Sequence, residues 1–383
     1  MVTIYLDNAA TNHPRPEVVV EAVSRYLSDL GASPGRSGHR PSLEAGRLML
    51  ETRELAADFF GAASANNVIF TGNVTEAINI ALKGYLSPGD HVLTTRFEHN
   101  AVLRPLHRLK EEKGIEIDYL PVGNTGSISR NDFERCLTEK TSLMVINHAS
   151  NVTGAVLDLL SPANWCNELD LPLMVDTAQS AGSLNFPWEK LDAQFICFTG
   201  HKGLMGPPGT GGMIIDPEMV ERTKSFIEGG TGSKSDQLTQ PEMLPDKYEA
   251  GTMNTAGIAG LNAAFKYIKN QGPDMIRKKK KKLTDLLCRG LEDISGIELL
   301  GPDPDEERTS TAAITWDGGD TAELSVKLDR EHGIMTRSGL HCAPLVHKML
   351  GTYPRGALRF SIGYFNTEED IKKTIRAVKE IVN

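Results

Sequence analysis

The chain has 383 residues, of which 40% are hydrophobic and 24% are charged, a composition typical of globular proteins and unlike that of disordered chains. Its 41 basic and 50 acidic residues give a net charge of −9, which argues against a protein that mainly binds nucleic acid or an anionic membrane. No apolar run predicts a membrane span, the first residues lack an export-signal pattern, and the five scattered cysteines predict neither disulfides nor structural zinc. We therefore expect a cytoplasmic protein.

The stretch from about Pro16 to Asp216 alternates between helical periodicity and short apolar, β-branched runs. Such alternation predicts βαβ units around a mostly parallel sheet, whose ligands bind beyond the carboxyl ends of the strands. The predicted strands are Asn67–Thr71, His91–Thr95, Ile115–Val122, Ser142–Asn147, Leu171–Asp176, Phe195–Thr199 and Gly212–Ile215.

Two longer segments follow the predicted sheet. Glu228–Thr255 is rich in Gly, Ser, Thr and Pro and predicts a long loop, which in a compact domain is usually functional or mobile. Ala256–Glu292 has a helical pattern, and its basic run Arg277–Lys282 is interpreted as a solvated helix face rather than a nucleic-acid patch.

The C-terminal part of the chain predicts a second, smaller α/β domain. Its predicted elements are the strand Thr311–Trp316, a helix from Thr321, the strand Leu358–Ile362 and a last helix from Asn366, with Glu369 as a capping-box partner. We predict a large domain of residues 16–255 and a small domain of residues 1–15 and 256–383.

A phosphate site is predicted where the strand Asn67–Thr71 meets the following helix. Asn73 is suited to cap that helix, and Glu76 stands three residues later. The N–H groups at such a helix start, together with the Thr75 hydroxyl, can hold a phosphate. Many α/β helices begin in this way without binding one, so this motif leaves both interpretations open.

Two charged residues, Asp176 and Lys202, follow apolar strands that are consecutive in the predicted sheet. A carboxylate at the end of a buried strand needs a cationic or hydrogen-bonding partner, which for Asp176 could also be a helix start or an arginine. A desolvated lysine is the usual means of forming a Schiff base with an aldehyde. One fixed carboxylate, one such lysine and one phosphate seat are what pyridoxal 5′-phosphate (PLP) requires.

Nine motifs, spread over almost the whole chain, resemble those of class V aminotransferases, which are fold-type I PLP enzymes, and among them specifically those of cysteine desulfurases. They are YLDNAAT at Tyr5–Thr11, TEAIN at Thr75–Asn79, EHNA at Glu98–Ala101, SNVTG at Ser150–Gly154, VDTAQSAG at Val175–Gly182, TGHK at Thr199–Lys202, YEAGTMNTAGI at Tyr248–Ile258, RSGLHCA at Arg337–Ala343 and ALRFSIGYFNT at Ala357–Thr367. The resemblance implies an α/β fold with a mostly parallel seven-stranded sheet in the large domain and a smaller C-terminal α/β domain.

The resemblance also implies roles around the PLP ring. Lys202 would hold the cofactor as a Schiff base and later move the Cα proton of the substrate. Asp176 would pair with the pyridine nitrogen, Gln179 would reach the ring hydroxyl, and His99 would stack over the ring and assist proton transfer.

The remaining implied contacts concern the phosphate and the substrate. Asn151 and Arg359 would hold the substrate carboxylate, and Asn151 would also contact the cofactor. If Thr252 crosses to a second subunit, the active unit is a homodimer. The residues implied at the phosphate are Thr75, Val74, Thr199 and His201, together with Thr252 of the partner subunit.

Cys342 is the residue that would select desulfuration among the reactions of PLP. Flanking Arg337 and His341 would favour its thiolate, and a zinc site with His341 and His347 lacks a fourth ligand. Cys136, Cys166, Cys197 and Cys288 fall in helical or strand patterns and are interpreted as structural. The implied reaction converts L-cysteine to L-alanine, leaves a persulfide on Cys342, and passes the sulfur to an acceptor protein, as in iron–sulfur cluster assembly.

Three positions depart from the family pattern. Asn73 and Val74 stand where a glycine and a small or hydroxylated residue are common, and Leu340 stands where histidine is common in the subgroup with a short cysteine loop. Three alternatives remain open at this point: a selenocysteine lyase, a PLP aminotransferase, and a non-catalytic partner in sulfur assembly. Nucleic acid, membranes and metal ions are not expected as partners.

Overall fold

The computed structural model describes residues 3–35, 37–123 and 126–382, in which strands and helices alternate along most of the chain. The strands are β1 (Ile4–Tyr5), β2 (Val68–Thr71), β3 (His91–Thr95), β4 (Glu116–Leu120), β5 (Thr141–Asn147), β6 (Leu173–Asp176), β7 (Phe195–Thr199), β8 (Gly211–Ile215), β9 (Ile297–Leu300), β10 (Thr311–Trp316), β11 (Ile334–Met335), β12 (Arg337–Gly339) and β13 (Ala357–Ser361). The helices are α1 (Glu17–Arg25), α2 (Arg40–Phe60), α3 (Val74–Tyr85), α4 (Asn100–Lys113), α5 (Arg130–Cys136), α6 (Leu160–Glu168), α7 (Pro217–Arg222), α8 (Thr255–Gln271), α9 (Pro273–Glu292), α10 (Thr321–His332), α11 (Pro344–Met349) and α12 (Glu368–Val382).

The larger sheet has seven strands in the order β2-β8-β7-β6-β5-β3-β4, and β8 alone runs antiparallel to its neighbours. Its inner strands are apolar almost throughout because helices cover both faces, as the buried run Leu143–Ile146 of β5 illustrates. The predicted mostly parallel seven-stranded sheet is therefore confirmed. Observed strand ends differ by up to two residues from the predicted ones; β6 begins at Leu173 because the N–H of Leu171 still bonds to Cys166 O at the end of α6.

The smaller sheet has four strands in the order β12-β13-β10-β9, and β1 pairs with β11 beside it. Its apolar side packs on α9, α10 and α12 around a separate core that includes Leu6, Leu287, Leu328 and Phe360. The strands β1, β9, β11 and β12 were not predicted, since runs of two to four residues carry too little periodicity to be recognised.

The predicted helical segment 256–292 consists of two helices, because Gly272, with a φ of 81°, and Pro273 interrupt it. Ala259 of α8 packs with Tyr26, which directly follows α1, and with Ala45 of α2. We therefore propose that α8 belongs to the large domain, with the boundary near Gly272, rather than at residue 255. Met1, Val2 and Asn383, which the predicted small domain includes, lie outside the described residues.

Helix α9 corrects the interpretation of the basic run Arg277–Lys282. Its buried positions recur at helical spacing through Ile276, Lys280, Leu283 and Leu287, so that Lys280 falls on the inner face. Lys280 is 6% exposed, while Lys278 and Lys279 are exposed. The run is thus a solvated face only in part.

The start of α12 also differs from the prediction. The reciprocal capping bonds join Thr367 and Asp370, whose side chains each accept from the other's backbone N–H. Asn366 instead accepts from Gly363 N and closes the preceding turn. The helix therefore begins two residues later than expected, at Glu368.

The segment from Thr223 to Asn254 contains no helix or strand, as expected for the predicted loop. Within the described ranges, no helix combines the length and the apolar character that a bilayer crossing requires.

Candidate active site

A cavity of about 490 Å³ opens where the larger sheet meets the smaller one. The carboxyl ends of β5, β6 and β7 form its floor, the starts of α3 and α4 form one wall, and β12 and β13 with the loop between β12 and α11 form the other. Its lining includes Val74, Thr75, His99, Asn147, Asn151, Asp176, Gln179, Thr199, His201, Lys202, Arg337, His341 and Arg359. Most of the sequence-predicted site residues therefore share one cavity.

Asp176 ends β6 and is 3% exposed, with its Oδ1 accepting from Ala178 N at 2.8 Å. Burial raises the pKa of this carboxyl group. The hydrogen bond from Ala178 and the charge of Lys202 act in the opposite direction and lower that pKa. A buried carboxylate in a cavity favours a bound cation, and a protonated pyridine nitrogen is such a group.

Lys202 follows β7, where the strand ends in a turn. Burial lowers its pKa to about 8; Asp176 acts in the opposite direction, while Arg359 and Arg337 lower it further. A pKa of about 8 leaves a larger fraction of free amine at neutral pH than an ordinary lysine has, and the free amine is the form that condenses with an aldehyde. Lys202 is thus prepared for a Schiff base.

The predicted phosphate seat lies at the start of α3. Asn73 Oδ1 accepts from Glu76 N at 3.0 Å, while Glu76 Oε2 accepts from Gly72 N at 2.6 Å, so the predicted capping is present. Val74 and Thr75, the first two helical residues, line the cavity; helices leave such N–H groups without an intrahelical partner.

Thr199 and His201 add to this seat from the end of β7. The Thr199 hydroxyl is buried and has no hydrogen-bond partner, so it is available to an oxygen-rich ligand. His201 Nδ1 lies 3.1 Å from Thr11 Oγ1, and its pKa falls to about 4 because of burial and the nearby Lys202 and Arg15. The imidazole is therefore neutral and acts as a hydrogen-bonding group rather than as a cation.

His99 is the residue that precedes α4 and caps it, since its Nδ1 accepts from Ala101 N at 3.0 Å. Burial, helped by Lys202 and Arg337, lowers its pKa to about 4. A neutral imidazole that accepts at Nδ1 carries its proton on Nε2. His99 therefore offers an N–H donor from the ring nitrogen that the helix leaves free.

Arg359 lies on β13 and is almost fully buried, at 1% exposure. Its Nη2 donates to Asp7 Oδ1 at 2.6 Å and its Nη1 donates to Asn151 O at 3.0 Å. Its buried Nε has no hydrogen-bond partner. Asp7 thus fixes the guanidinium at the cavity wall and leaves it donor capacity for a carboxylate ligand.

Asn151 and Gln179 are held by bonds that the sequence did not predict. Asn151 Nδ2 donates to His341 O at 2.6 Å, and its buried Oδ1 has no partner. Gln179 Nε2 donates to Ala9 O at 3.1 Å. Both side chains line the cavity, but each donates an amide N–H to the backbone of another segment and so helps to position that segment.

Cys342 lies in the short loop between β12 and α11 and is exposed. His341 and Cys342 both have positive φ values, 49° and 59°, which side chains other than glycine rarely adopt. Cys342 O accepts from Asn100 N at 2.7 Å, so the loop is fastened to the helix start that His99 caps. The preceding residue, His341, lines the same cavity as Lys202, which places this loop at the cavity wall.

His341 does not supply the positive charge that was expected beside Cys342. It is 3% exposed, and burial, with Arg359 and His347, lowers its pKa to about 2. Its Nε2 lies 3.1 Å from Ala357 O. His341 is therefore neutral, and it packs the loop against β13.

Thr252 is exposed and lies outside this cavity, in a separate depression lined by Arg53 and Glu249. The other four cysteines lie on regular elements, as predicted: Cys136 on α5, Cys166 on α6, Cys197 on β7 and Cys288 on α9. Within the described part of the chain, no cluster of three metal-ligating side chains occurs.

Three residues of the site were not predicted, because their contacts join segments that lie far apart in the chain. Asp7 belongs to the motif YLDNAAT, but nothing in the sequence pairs it with Arg359. Asn147 Nδ2 donates to Phe97 O, and its backbone N donates to Glu98 Oε1. Glu98 is completely buried, and burial raises its pKa to about 8. For Asn147, the only signal in the sequence was that a polar residue ends a predicted strand.

The arrangement fits PLP on several independent observations. A buried carboxylate faces the cavity from β6, a lysine with a depressed pKa follows β7, and the partnerless hydroxyl of Thr199 and the first residues of α3 line the same cavity. Asp176, Lys202 and Thr199 would hold the pyridine nitrogen, the aldehyde carbon and the phosphate, respectively.

Comparisons with known proteins agree with this site. The model of the family "Aminotransferase class-V" matches residues 4–374. A probable cysteine desulfurase from Methanothermobacter thermautotrophicus is 33% identical over 99% of this chain and 94% of its own length, and one from Pyrococcus abyssi is 32% identical over the same shares. The apo structure of a cysteine desulfurase from Thermococcus onnurineus superposes with a TM-score of 0.92 at 31% identity, covering 99% of this chain and 94% of that one.

A more distant structure, the cysteine desulfurase CsdA from Escherichia coli in its S-sulfonic acid form, has a TM-score of 0.88 at 27% identity and covers 100% of this chain and 96% of that one. The family model and the relatives each extend over almost the whole chain, and the cavity carries the groups that PLP needs. The chain therefore belongs to the class V aminotransferase family of PLP enzymes.

Proposed function

We propose that this protein is a PLP-dependent cysteine desulfurase, which converts L-cysteine to L-alanine and transfers the sulfur to Cys342. The observation that carries the proposal is the position of Cys342, an exposed thiol on a loop that is fastened to α4 through Asn100 and whose His341 lines the same cavity as Lys202. The names of the relatives in Methanothermobacter thermautotrophicus and Pyrococcus abyssi support the same activity.

Substrate binding is assigned to the wall formed by β13. The Arg359 guanidinium, fixed by Asp7, binds the carboxylate of L-cysteine by charge-assisted hydrogen bonds. The partnerless Oδ1 of Asn151 can accept a hydrogen bond from the bound ligand. These contacts direct the substrate amine toward Lys202 and its side chain toward the Cys342 loop.

Proton transfer is assigned to Lys202 and His99. When bound, PLP supplies an aldehyde that joins the substrate amine and a ring that withdraws electrons from its Cα. Lys202, as a free amine, would accept the Cα proton at Nζ. His99 holds a proton at Nε2, and the Asp176 carboxylate would pair with the ring nitrogen of the bound cofactor.

Sulfur transfer is assigned to Cys342. Its thiolate Sγ attacks the sulfur of the bound substrate, and an S–S bond forms as the Cβ–S bond breaks. The electron pair of the broken bond remains with the amino-acid fragment, which takes up a proton at Cβ and leaves as L-alanine. One sulfur atom is thus moved from L-cysteine to the enzyme, which then carries a persulfide.

The test is a steady-state assay of the holoenzyme with L-cysteine and a thiol reductant. We expect L-alanine and sulfide in equal amounts. L-Selenocysteine as the only turned-over substrate would instead identify a selenocysteine lyase, and amino transfer to a 2-oxo acid without sulfide would identify an aminotransferase. A protein that binds no PLP and turns over none of these would be a non-catalytic partner in sulfur assembly. Each of these results contradicts the proposal.

We further propose a homodimer in which Thr252 of the partner subunit completes the phosphate site, and an acceptor protein that takes the persulfide sulfur. Thr252 lies on an exposed loop outside its own cavity, which supports a role in another subunit. Mixing Lys202→Ala and Thr252→Ala subunits would place both substitutions in one site of each heterodimer and none in the other. Recovery of activity on mixing supports the crossover, while additive loss contradicts it.

A further inference from the structure

A second, much smaller cavity lies behind the active site, between the large and small domains. It measures about 20 Å³, enough for one particle the size of a water molecule or a halide ion. Gln179 and Lys202 line both cavities, so the small one directly adjoins the reactive lysine. Lys280 of α9 also lines the small cavity.

Lys280 is an unusual lysine because its ammonium group is buried without a compensating charge. Its Nζ donates to Ser183 Oγ at 3.0 Å, and no ion pair joins it to a carboxylate in the described part of the chain. An ammonium has three donors, so two remain after the bond to Ser183. A buried, unpaired charge is strongly unfavourable, so a ligand that neutralises it is favoured.

The surroundings of this cavity select an anion. Its lining contains a second lysine, Lys202, and several hydroxyl-bearing residues such as Ser310 and Thr311, but no acidic residue among those described. Burial lowers the pKa of Lys280 to about 8, so the group is still mainly protonated at neutral pH. Once Lys202 is joined to the cofactor, Lys280 is the remaining ammonium at the cavity.

We propose that this cavity is a binding site for one small monovalent anion such as chloride, held by the Lys280 ammonium and separate from the substrate site. A halide ion suits so small a cavity, and the hydroxyl groups of the lining can donate to it. The anion is thus a structural ligand at the junction of α9 with the segment that carries Ser183.

Crystals of the holoenzyme grown with sodium bromide test this assignment directly. We expect an anomalous bromide peak in the small cavity, within hydrogen-bonding distance of Lys280 Nζ. A cavity that holds only water, with bromide absent or bound only at the surface, overturns the proposal. This measurement uses the unaltered protein and does not depend on activity.

Thermal unfolding of the holoenzyme supplies a second test. At equal ionic strength, sodium chloride should raise the melting temperature by roughly 1–3 °C more than sodium gluconate, whose anion is too large for the cavity. Lys280→Met should abolish this difference, whereas Lys278→Met, on the exposed face of the same helix, should retain it. An equal chloride-specific rise in Lys280→Met contradicts the proposal, and if that variant does not fold, the bromide result decides.

Discussion

The two walls of the active site are built in opposite ways. On the cofactor side, Asp176 and Thr199 are buried at the ends of sheet strands, and their positions follow from regular hydrogen bonding. On the sulfur side, Cys342 is exposed on a four-residue connection between β12 and α11, with two consecutive residues at positive φ. The first wall holds a group in place, and the second presents one to solvent.

This difference indicates how the chain divides the chemistry. Groups that must not move, and whose pKa values depend on burial, belong to the larger sheet. Cys342, the proposed sulfur carrier, belongs to a strained loop, which hydrogen bonds from Asn100 N and Asn151 Nδ2 fasten to the large domain. Substitutions on the two walls should therefore fail in different ways.

The largest effect is expected on the cofactor wall. Lys202→Ala removes the Schiff base and the base at Cα together, and should lower the rate of sulfide release by roughly 10³-fold or more. The absorbance band of the lysine-bound cofactor should disappear. Lys190→Ala, at an exposed lysine, is the control and should change neither property. Substantial turnover by Lys202→Ala would contradict the assignment.

On the sulfur wall, Cys342→Ser should leave the cofactor band intact while lowering sulfide release by roughly 10²-fold or more, because the hydroxyl cannot carry the sulfur. Absorbance and sulfide measured on the same sample separate the two walls. Cys136→Ser, at a half-buried cysteine on α5, should behave like the unaltered enzyme. Undiminished release from Cys342→Ser would reject the role of this thiol.

A smaller effect is expected where the walls meet, at the ion pair of Asp7 with Arg359. Asp7→Asn keeps the size of the side chain but removes its charge, so the guanidinium is held less firmly. We expect the KM for L-cysteine to rise by roughly 3- to 10-fold with little change in kcat. Asp317→Asn, at an exposed position, is the control. A fall in kcat at constant KM would show that Asp7 acts on the chemical step instead.

The smallest effect on activity is expected at Glu98, beneath the cofactor wall. Its folded-state pKa, raised by burial to about 8, lies above the ordinary value of 4.5, so its contribution to stability is present below pH 4.5 and is lost as the pH rises to about 8. Glu98→Gln mimics the neutral form. The melting temperature of Glu98→Gln minus that of the unaltered protein should therefore increase from pH 5 to pH 8.

The control for this pH series is Glu111→Gln, at an exposed position of α4. Its melting temperature should follow that of the unaltered protein across the same range. If the difference in melting temperature between Glu98→Gln and the unaltered protein stays constant from pH 5 to pH 8, Glu98 is ionised in the folded protein. The buried Thr95 and Asn147 donors would then be its stabilising partners.

The sequence predicts the cofactor wall better than the sulfur wall, and the reason is physical. Strand ends such as Asp176 and Thr199 are visible because an apolar run stops at a polar residue, and a parallel sheet brings such ends to one edge. The Asn73 cap is likewise a local signal that needs only a few neighbouring residues. These parts of the fold follow from periodicity and capping.

The contacts of the sulfur wall depend on residues that are far apart in the chain. Asp7 meets Arg359 across 352 positions, and Asn151 meets His341 across 190. No local pattern encodes such pairs. The same limit explains His341, whose neutrality results from burial against β13, and Lys280, which looks like one of several solvated lysines until its helix is packed.

The central claim is that Cys342 receives sulfur from the amino acid bound beside Lys202, and a single-turnover experiment tests it most directly. The holoenzyme is mixed with one equivalent of ³⁴S-labelled L-cysteine without reductant and then digested, and the masses of the peptides are measured by mass spectrometry. We predict one ³⁴S atom on the Cys342 peptide and an equal amount of L-alanine. L-Alanine formed while the label appears on another cysteine, or on none, would contradict the account.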